Sequence, residues 1–266
     1  MRRLTGWFEP GNDNPFSKTS LAPGEFYPRI SRPVDQHPYD ALGWNPSVNR
    51  YVNELAVARS QLNVLWRQLD RVCQTVHPIA KNFDTFGHDI RNLLILACTE
   101  VEAQWRAVLR ANGYDRERLT TSDYVLLRDV LALETFSVRF PNFPWLDPIA
   151  PFRNWGTSNP TKTLEWYDAY NAAKHSREIE FERASLRHVF EAVAANVVMV
   201  AAQFGLSGAL PPQSELRAAF ALSEVPMWPP ADVYILPYDN AEGTWTAVNF
   251  DFANAIPRRA SAQPRY

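Results

Sequence analysis

Between Leu186 and Phe204 the apolar residues Leu186, Val189, Phe190, Val193, Val197, Val200, Ala201 and Phe204 recur at steps of three and four. That is the spacing of a helix that buries one stripe, so the rest of the chain has to supply elements to cover it. Gly205 sits where a left-handed cap would end this helix. The longest apolar stretch within it, Ala192 to Ala202, contains Asn196 and falls short of the roughly 20 residues needed to span a bilayer, so no membrane partner is expected.

The covering elements are helical by the same criterion. Asn45-Pro46-Ser47 opens a helix with proline in its first turn, and Leu55, Ala58, Leu62, Leu65, Trp66, Leu69, Val72, Cys73 and Val76 follow at helical spacing until Pro78. A second helix runs from about residue 84 to Ala111, stops at Asn112-Gly113, and is apolar on nearly every side between Leu93 and Cys98. A third begins at Thr121-Ser122-Asp123, whose side chains can cap it, and is predicted to continue towards Phe136. Residues 137–160 are rich in proline and aromatics; so long a connector is usually specialised, and it is expected to form a wall or lid beside the helix that follows.

The two ends read differently. Residues 1–46 hold seven prolines among Trp7, Phe8, Phe16, Phe26, Tyr27, Tyr39 and Trp44. Prolines forbid a long helix there, and the aromatics argue for an extended arm lying on the helical body or on a partner rather than a free tail. After a short helix within Ser214–Leu222, which Pro226, Pro229 and Pro230 should break, the stretches Asp232–Leu236 and Thr244–Phe250 alternate like strands and predict a β-hairpin. The expected fold is therefore all-α: a bundle of about four or five helices over residues 47–223, with the arm in front, a small hairpin over 224–256 and a disordered tail over 257–266.

Composition bounds the chemistry. At 266 residues the chain can bury a substantial core without disulfides, and Cys73 and Cys98 lie on apolar helix faces, as reduced buried thiols do. Met1-Arg2-Arg3 leads into Trp7, Glu9 and Pro10 rather than an apolar segment, so no signal peptide is expected and the reading is of a cytoplasmic protein. A net charge of -2 gives no bulk electrostatic footprint for nucleic acid, so any RNA contact must come from a local patch.

The strongest candidate chemistry lies in Trp166-Tyr-Asp-Ala-Tyr-Asn-Ala-Ala-Lys-His-Ser-Arg177. On a helix Asn171 and His175 stand one turn apart, flanked by Asp168 and Lys174, so one face offers an amide, an imidazole and a cation. This phrase, followed by the apolar run, resembles the HEPN superfamily of small helical domains. Gly87–Trp105 is similar to the earlier core helix of the same proteins, and the resemblance covers roughly residues 84–205. HEPN nucleases carry an Arg, usually followed by a polar residue, four to six positions before a His, and cut RNA without metal. The resemblance thus implies a metal-independent endoribonuclease of the toxin or phage-defence kind, with His175, Asn171 and Arg177 at the site. Imidazole would serve the 2′-hydroxyl or leaving oxygen, and a guanidinium the growing phosphate charge. It also implies a homodimer, with the Leu186–Phe204 stripe or the hairpin supplying the contact, RNA as ligand, an antitoxin or defence-system protein as partner, and no cofactor.

This chain departs from the pattern at Tyr170, which stands just before Asn171 where the nucleases have Arg. Lys174, Arg177 or Arg91 could supply the missing cation, Arg91 being best placed if its helix is a neighbour. The alternative implied by the departure is a non-catalytic HEPN-like module that binds RNA, a nucleotide or a partner protein. On the second helix, Arg91, Ile95, Thr99 and Glu102 lie within about 60° of His88 and form one narrow stripe, four of whose five members are polar. Such a stripe on an apolar helix must be paired or wet, so it should face the Asn171/His175 helix or a cavity; an Arg91–Glu102 ion pair that merely fixes packing explains it equally. Trp105, Trp155, Trp166, Tyr167 and Tyr170 have flat faces on which bases could stack, though such residues are more often core. His37, His77 and His188 have no supporting constellation. No phosphate loop, nucleophile elbow or zinc motif occurs, and no metal site is expected.

Overall fold

A computed structural model describes residues 21–34, 45–175, 178–237, 244–253 and 261–264, and over these the chain is mostly helical. After β1 (Glu25–Phe26), Asn45 opens the helical part by accepting a hydrogen bond from the Ser47 amide, with Pro46 in the first turn of α1 (Pro46–Arg50). A break at Tyr51 leads into α2 (Val52–Thr75), and α3 (His88–Ala111) follows. Gly113, at φ 75°, turns the chain out of α3 where a side chain would be strained.

The expected third helix is instead two single turns, α4 (Thr121–Tyr124) and α5 (Leu127–Val130), which run through Ala132 at φ 50° into β2 (Ser137–Arg139). Thr120 and Asp123 form a capping box, so that of the three expected capping side chains Asp123 takes part and the N-cap is Thr120. What stops the helix is that Val130, Leu131, Ala132 and Leu133 are all buried, so apolar contacts surround four consecutive residues where one helix could offer a single face. Next come α6 (Glu165–His175), α7 (Leu186–Phe204), α8 (Leu206–Ala209) and α9 (Glu215–Ala219). Gly205 ends α7 at φ 76°, its amide bonded to the Ala201 carbonyl.

Helix α7 is the axis of the molecule. Every residue from Ala192 to Phe204 is buried, because α2, α3, α6 and β2 surround it. The periodic stripe seen in the sequence therefore understates its burial, and it is not available as a dimer contact. The segment 137–160 is anchored in the core by Phe140, Phe152 and Trp155, which are fully buried, while Trp145 stays at the surface. Trp155 stacks on Trp105 at 5.0 Å, and Tyr124, Tyr167, Trp166 and Phe152 complete the ring cluster around that residue.

The C-terminal part corrects two further expectations. Pro226 does not end an element: β3 (Ala221–Met227) runs through it, pairing antiparallel with β2 on one side and with β5 (Ser261–Pro264) on the other. Pairing with β2 stops at Glu224, so Pro226, which has no amide hydrogen to donate, meets only β5. Part of the tail expected to be disordered is thus a strand; residues 257–260 and 265–266 lie outside the described residues. The hairpin is also replaced. β4 (Thr246–Ala247) pairs parallel with β1, and Tyr234 bridges Val34 in parallel, so the arm lies between two C-terminal segments that do not pair with each other among the described residues. The arm over 21–34 rests on the helical body as expected, with Phe26 and Ile30 buried; Trp7, Phe8, Phe16, Tyr39 and Trp44 lie outside the described residues.

Candidate functional site

Helix α6 packs on α3, and Arg91 and Glu102 of the polar stripe bond to it, one of the two placements the periodicity allowed. Tyr167 donates its hydroxyl hydrogen to Glu102 Oε1 at 2.7 Å. Burial, and then this hydrogen bond, push the Tyr167 phenol far above its ordinary value, so it stays neutral. One turn along, Tyr170 is fully buried, and Lys174 Nζ donates to its hydroxyl at 2.9 Å. That bond raises the Lys174 ammonium's pKa, while burial raises the Tyr170 phenol's.

Arg91 closes the other end of the seam. Its Nη2 and Nε donate to the Ala173 carbonyl at 2.9 and 3.2 Å, satisfying an acceptor that the last turn of α6 leaves without a helical partner. A guanidinium there also offsets the negative end of the helix dipole. The Arg91–Glu102 ion pair weighed from the sequence is not what forms, since each residue instead bonds a different part of α6.

His175 and Lys174 are exposed at the C-terminal end of α6, and Asn171 is half-buried one turn earlier. His88 is exposed at the start of α3, its ring 5.0 Å from that of Phe181. Arg177 lies outside the described residues. The structure therefore brings Arg91, Glu102, Tyr170 and Lys174 onto one seam and leaves His175 without a hydrogen-bond partner among the described residues. Position 170 explains its own residue: it points into the body towards Thr99 and Glu102, whereas His175, five residues on, points about 140° away.

A second polar cluster lies on the other side of α6. Burial alone would raise the Asp168 carboxyl, but hydrogen bonds from Arg183 and from Lys162, the latter an ion pair at 2.9 Å, hold it below its ordinary value. Nearby on α7, Glu191 is pushed up to about 7 by burial and by Glu165, and one of its oxygens is buried with no hydrogen-bond partner. His188 bonds the Arg183 carbonyl through Nδ1 at 2.7 Å, and burial lowers its pKa. Cys73 and Cys98 are free and buried, and among the described residues no group of three or more His, Cys, Asp or Glu could hold a metal ion.

Sequence reasoning missed a third arrangement, a buried chain of amides. Gln104 Nε2 donates to Asn196 Oδ1 at 2.9 Å, Gln203 Nε2 donates to Gln104 Oε1 at 3.0 Å, and Arg29 Nε donates to Gln203 Oε1 at 2.8 Å. Asn196 and Gln203, two turns apart in an otherwise apolar run, were the available signal. No helix among the described residues is long and apolar enough to cross a membrane. Compared with protein-family models, with curated proteins and with solved structures, the chain matches none.

Proposed function

We propose that the chain is a HEPN-like helical module that binds RNA without cutting it, working as a homodimer. The observation that carries this reading is that the groups needed to act on a phosphate are already spent. Arg91 is bonded to the Ala173 carbonyl, Glu102 accepts from Tyr167, and a buried Tyr170 occupies the position of the expected Arg. What α6 offers to solvent is an ammonium with donors to spare and an imidazole, suited to holding a phosphate backbone. Without a free guanidinium among the described residues of the seam to stabilise the charge that develops on the phosphate, His175 lacks half of the proposed chemistry.

The test is incubation of a mixed-sequence RNA with the wild type and with His175→Ala, in EDTA, alongside binding measured by fluorescence anisotropy. We expect no cleavage by either protein, binding that weakens as salt rises, and a salt slope shallower by about 0.7 in Lys174→Ala if that side chain neutralises one phosphate of a single strand. A second reading, the metal-independent endoribonuclease, draws on the exposure of His175 at the end of α6 that Arg91 also reaches. Products with cyclic phosphate ends, formed by the wild type and not by His175→Ala, would establish it and overturn the first.

A further inference from the structure

The amide chain does not end in the core. It borders a cavity of about 420 Å³ between α2 and α3, which Arg29, Gln104 and Asn196 help to line. Small side chains make the space: Ala58 on α2, and Ala103 and Ala107 on α3, stand where larger residues would close it. The volume falls in the range of small-molecule sites, roughly 300–1,000 Å³.

Arg29 is the unusual member. It is held at φ 55°, a backbone conformation seldom adopted by a residue with a side chain, and its guanidinium lies 5.5 Å from the centre of the Phe204 ring. Its Nε is fixed by Gln203, but the two Nη groups donate to no acceptor among the described residues. Glu54 is near enough to act on it through space without forming an ion pair, and burial lowers its pKa. A half-buried guanidinium with its fork open is the group that recognises a planar carboxylate through two parallel hydrogen bonds.

The remaining lining limits what can carry that carboxylate. Glu54 comes from α2 and Glu100 from α3, so the charged side chains sum to one positive and two negative. A phosphate dianion is disfavoured there, whereas an ammonium group is attracted. Val57, Ala58, Leu62, Ala103 and Ala107 supply an apolar wall, with the amides of Asn53 and Gln61 at its side.

We propose that this cavity binds a free α-amino acid with an apolar side chain, its carboxylate on Arg29 and its ammonium between Glu54 and Glu100. Gln104, whose amide keeps one N–H beyond the bond to Asn196, supplies a further donor to the carboxylate. The site is separate from the α3–α6 seam, so it stands whether or not the chain binds RNA.

The experiment is calorimetric titration of the full chain with leucine, isoamylamine and isocaproate, the latter two lacking the carboxylate and the ammonium respectively, with inorganic phosphate as a further probe. Leucine is expected to bind saturably and the truncated compounds about tenfold more weakly, the loss expected for a missing charged hydrogen-bond partner. Arg29→Lys, which keeps the charge and loses the fork, should weaken leucine by a similar factor. Ala103→Trp, made at an exposed position of α3, should abolish binding while leaving the urea unfolding midpoint in place. No binding of leucine, valine, methionine or phenylalanine at millimolar concentration overturns the proposal. So does isocaproate or phosphate binding as well as leucine, or leucine binding that survives Ala103→Trp.

Discussion

Glu191 should make the protein less stable as the solution becomes more alkaline. Its carboxyl is pushed from an ordinary 4.5 to about 7, first by burial and then by Glu165, with Arg187 only partly opposing them. The folded state therefore holds a proton that the unfolded chain releases near 4.5. Stability is greatest below that pH and falls as pH rises towards 7, where the folded carboxylate at last ionises. At about 1.36 kcal/mol per pH unit the loss across this window is about 2–3 kcal/mol. The lowered pKa of His188 acts in the opposite sense, weakening the fold as pH drops below 6.5, so the wild-type profile mixes two effects. Glu191→Gln separates them. Urea unfolding of both proteins at about pH 5 and about pH 8 gives two stability gaps; any constant cost of burying the amide cancels between them. The variant should gain about 2–3 kcal/mol on the wild type from the lower pH to the higher. A gap that does not change with pH would refute the reasoning, because it would mean that the carboxyl is solvated in the folded protein.

Two further perturbations test the packing. Trp105→Ala should cost about 3–5 kcal/mol in urea unfolding, since the side chain is fully buried among five aromatic rings. Trp105→Phe should cost less than half as much, because it also removes an indole N–H that has no acceptor among the described residues. Gly24→Ala should destabilise by about 1–3 kcal/mol, since φ is 80° there and the new methyl would stand 2.8 Å from the Pro237 Cβ; a near-neutral result in the same assay would mean that the arm can shift away.

The helices were legible wherever a stripe and a cap coincided. Asn45-Pro46-Ser47, the polar stripe of α3 and the spacing of α7 each mark what the chain does there, because periodicity and termini are local properties. Residues 121–136 were not legible, since their burial comes from distant partners and overrode a plausible helical pattern. The strands failed for a related reason. Alternation marks a strand without saying what it pairs with, and the segments read as one hairpin find partners some two hundred residues earlier in the arm. At the candidate site, Tyr170 was visible as a departure from a pattern, but its burial against α3 was not. The amide chain went unseen because two polar residues in an apolar run carry no signal about each other until a third, Gln104, is brought between them.

The clasping of the arm by C-terminal segments sets an order of events during synthesis. The Tyr27 amide donates to the Tyr234 hydroxyl across 207 positions, and the Gly24 carbonyl accepts from the Thr246 amide. At about 5–20 residues per second, a ribosome needs roughly 10–40 s to make the partner after the arm has emerged. The helices α2 and α3 are complete well before then and α7 about 30 residues before Tyr234, while the clasp on Phe26 and Tyr27 is still missing. Arg29 rides on the same arm, whose Ser31 amide also bonds the Ala202 carbonyl, so the amide chain can acquire its cationic end as soon as α7 has been made, before the clasp closes.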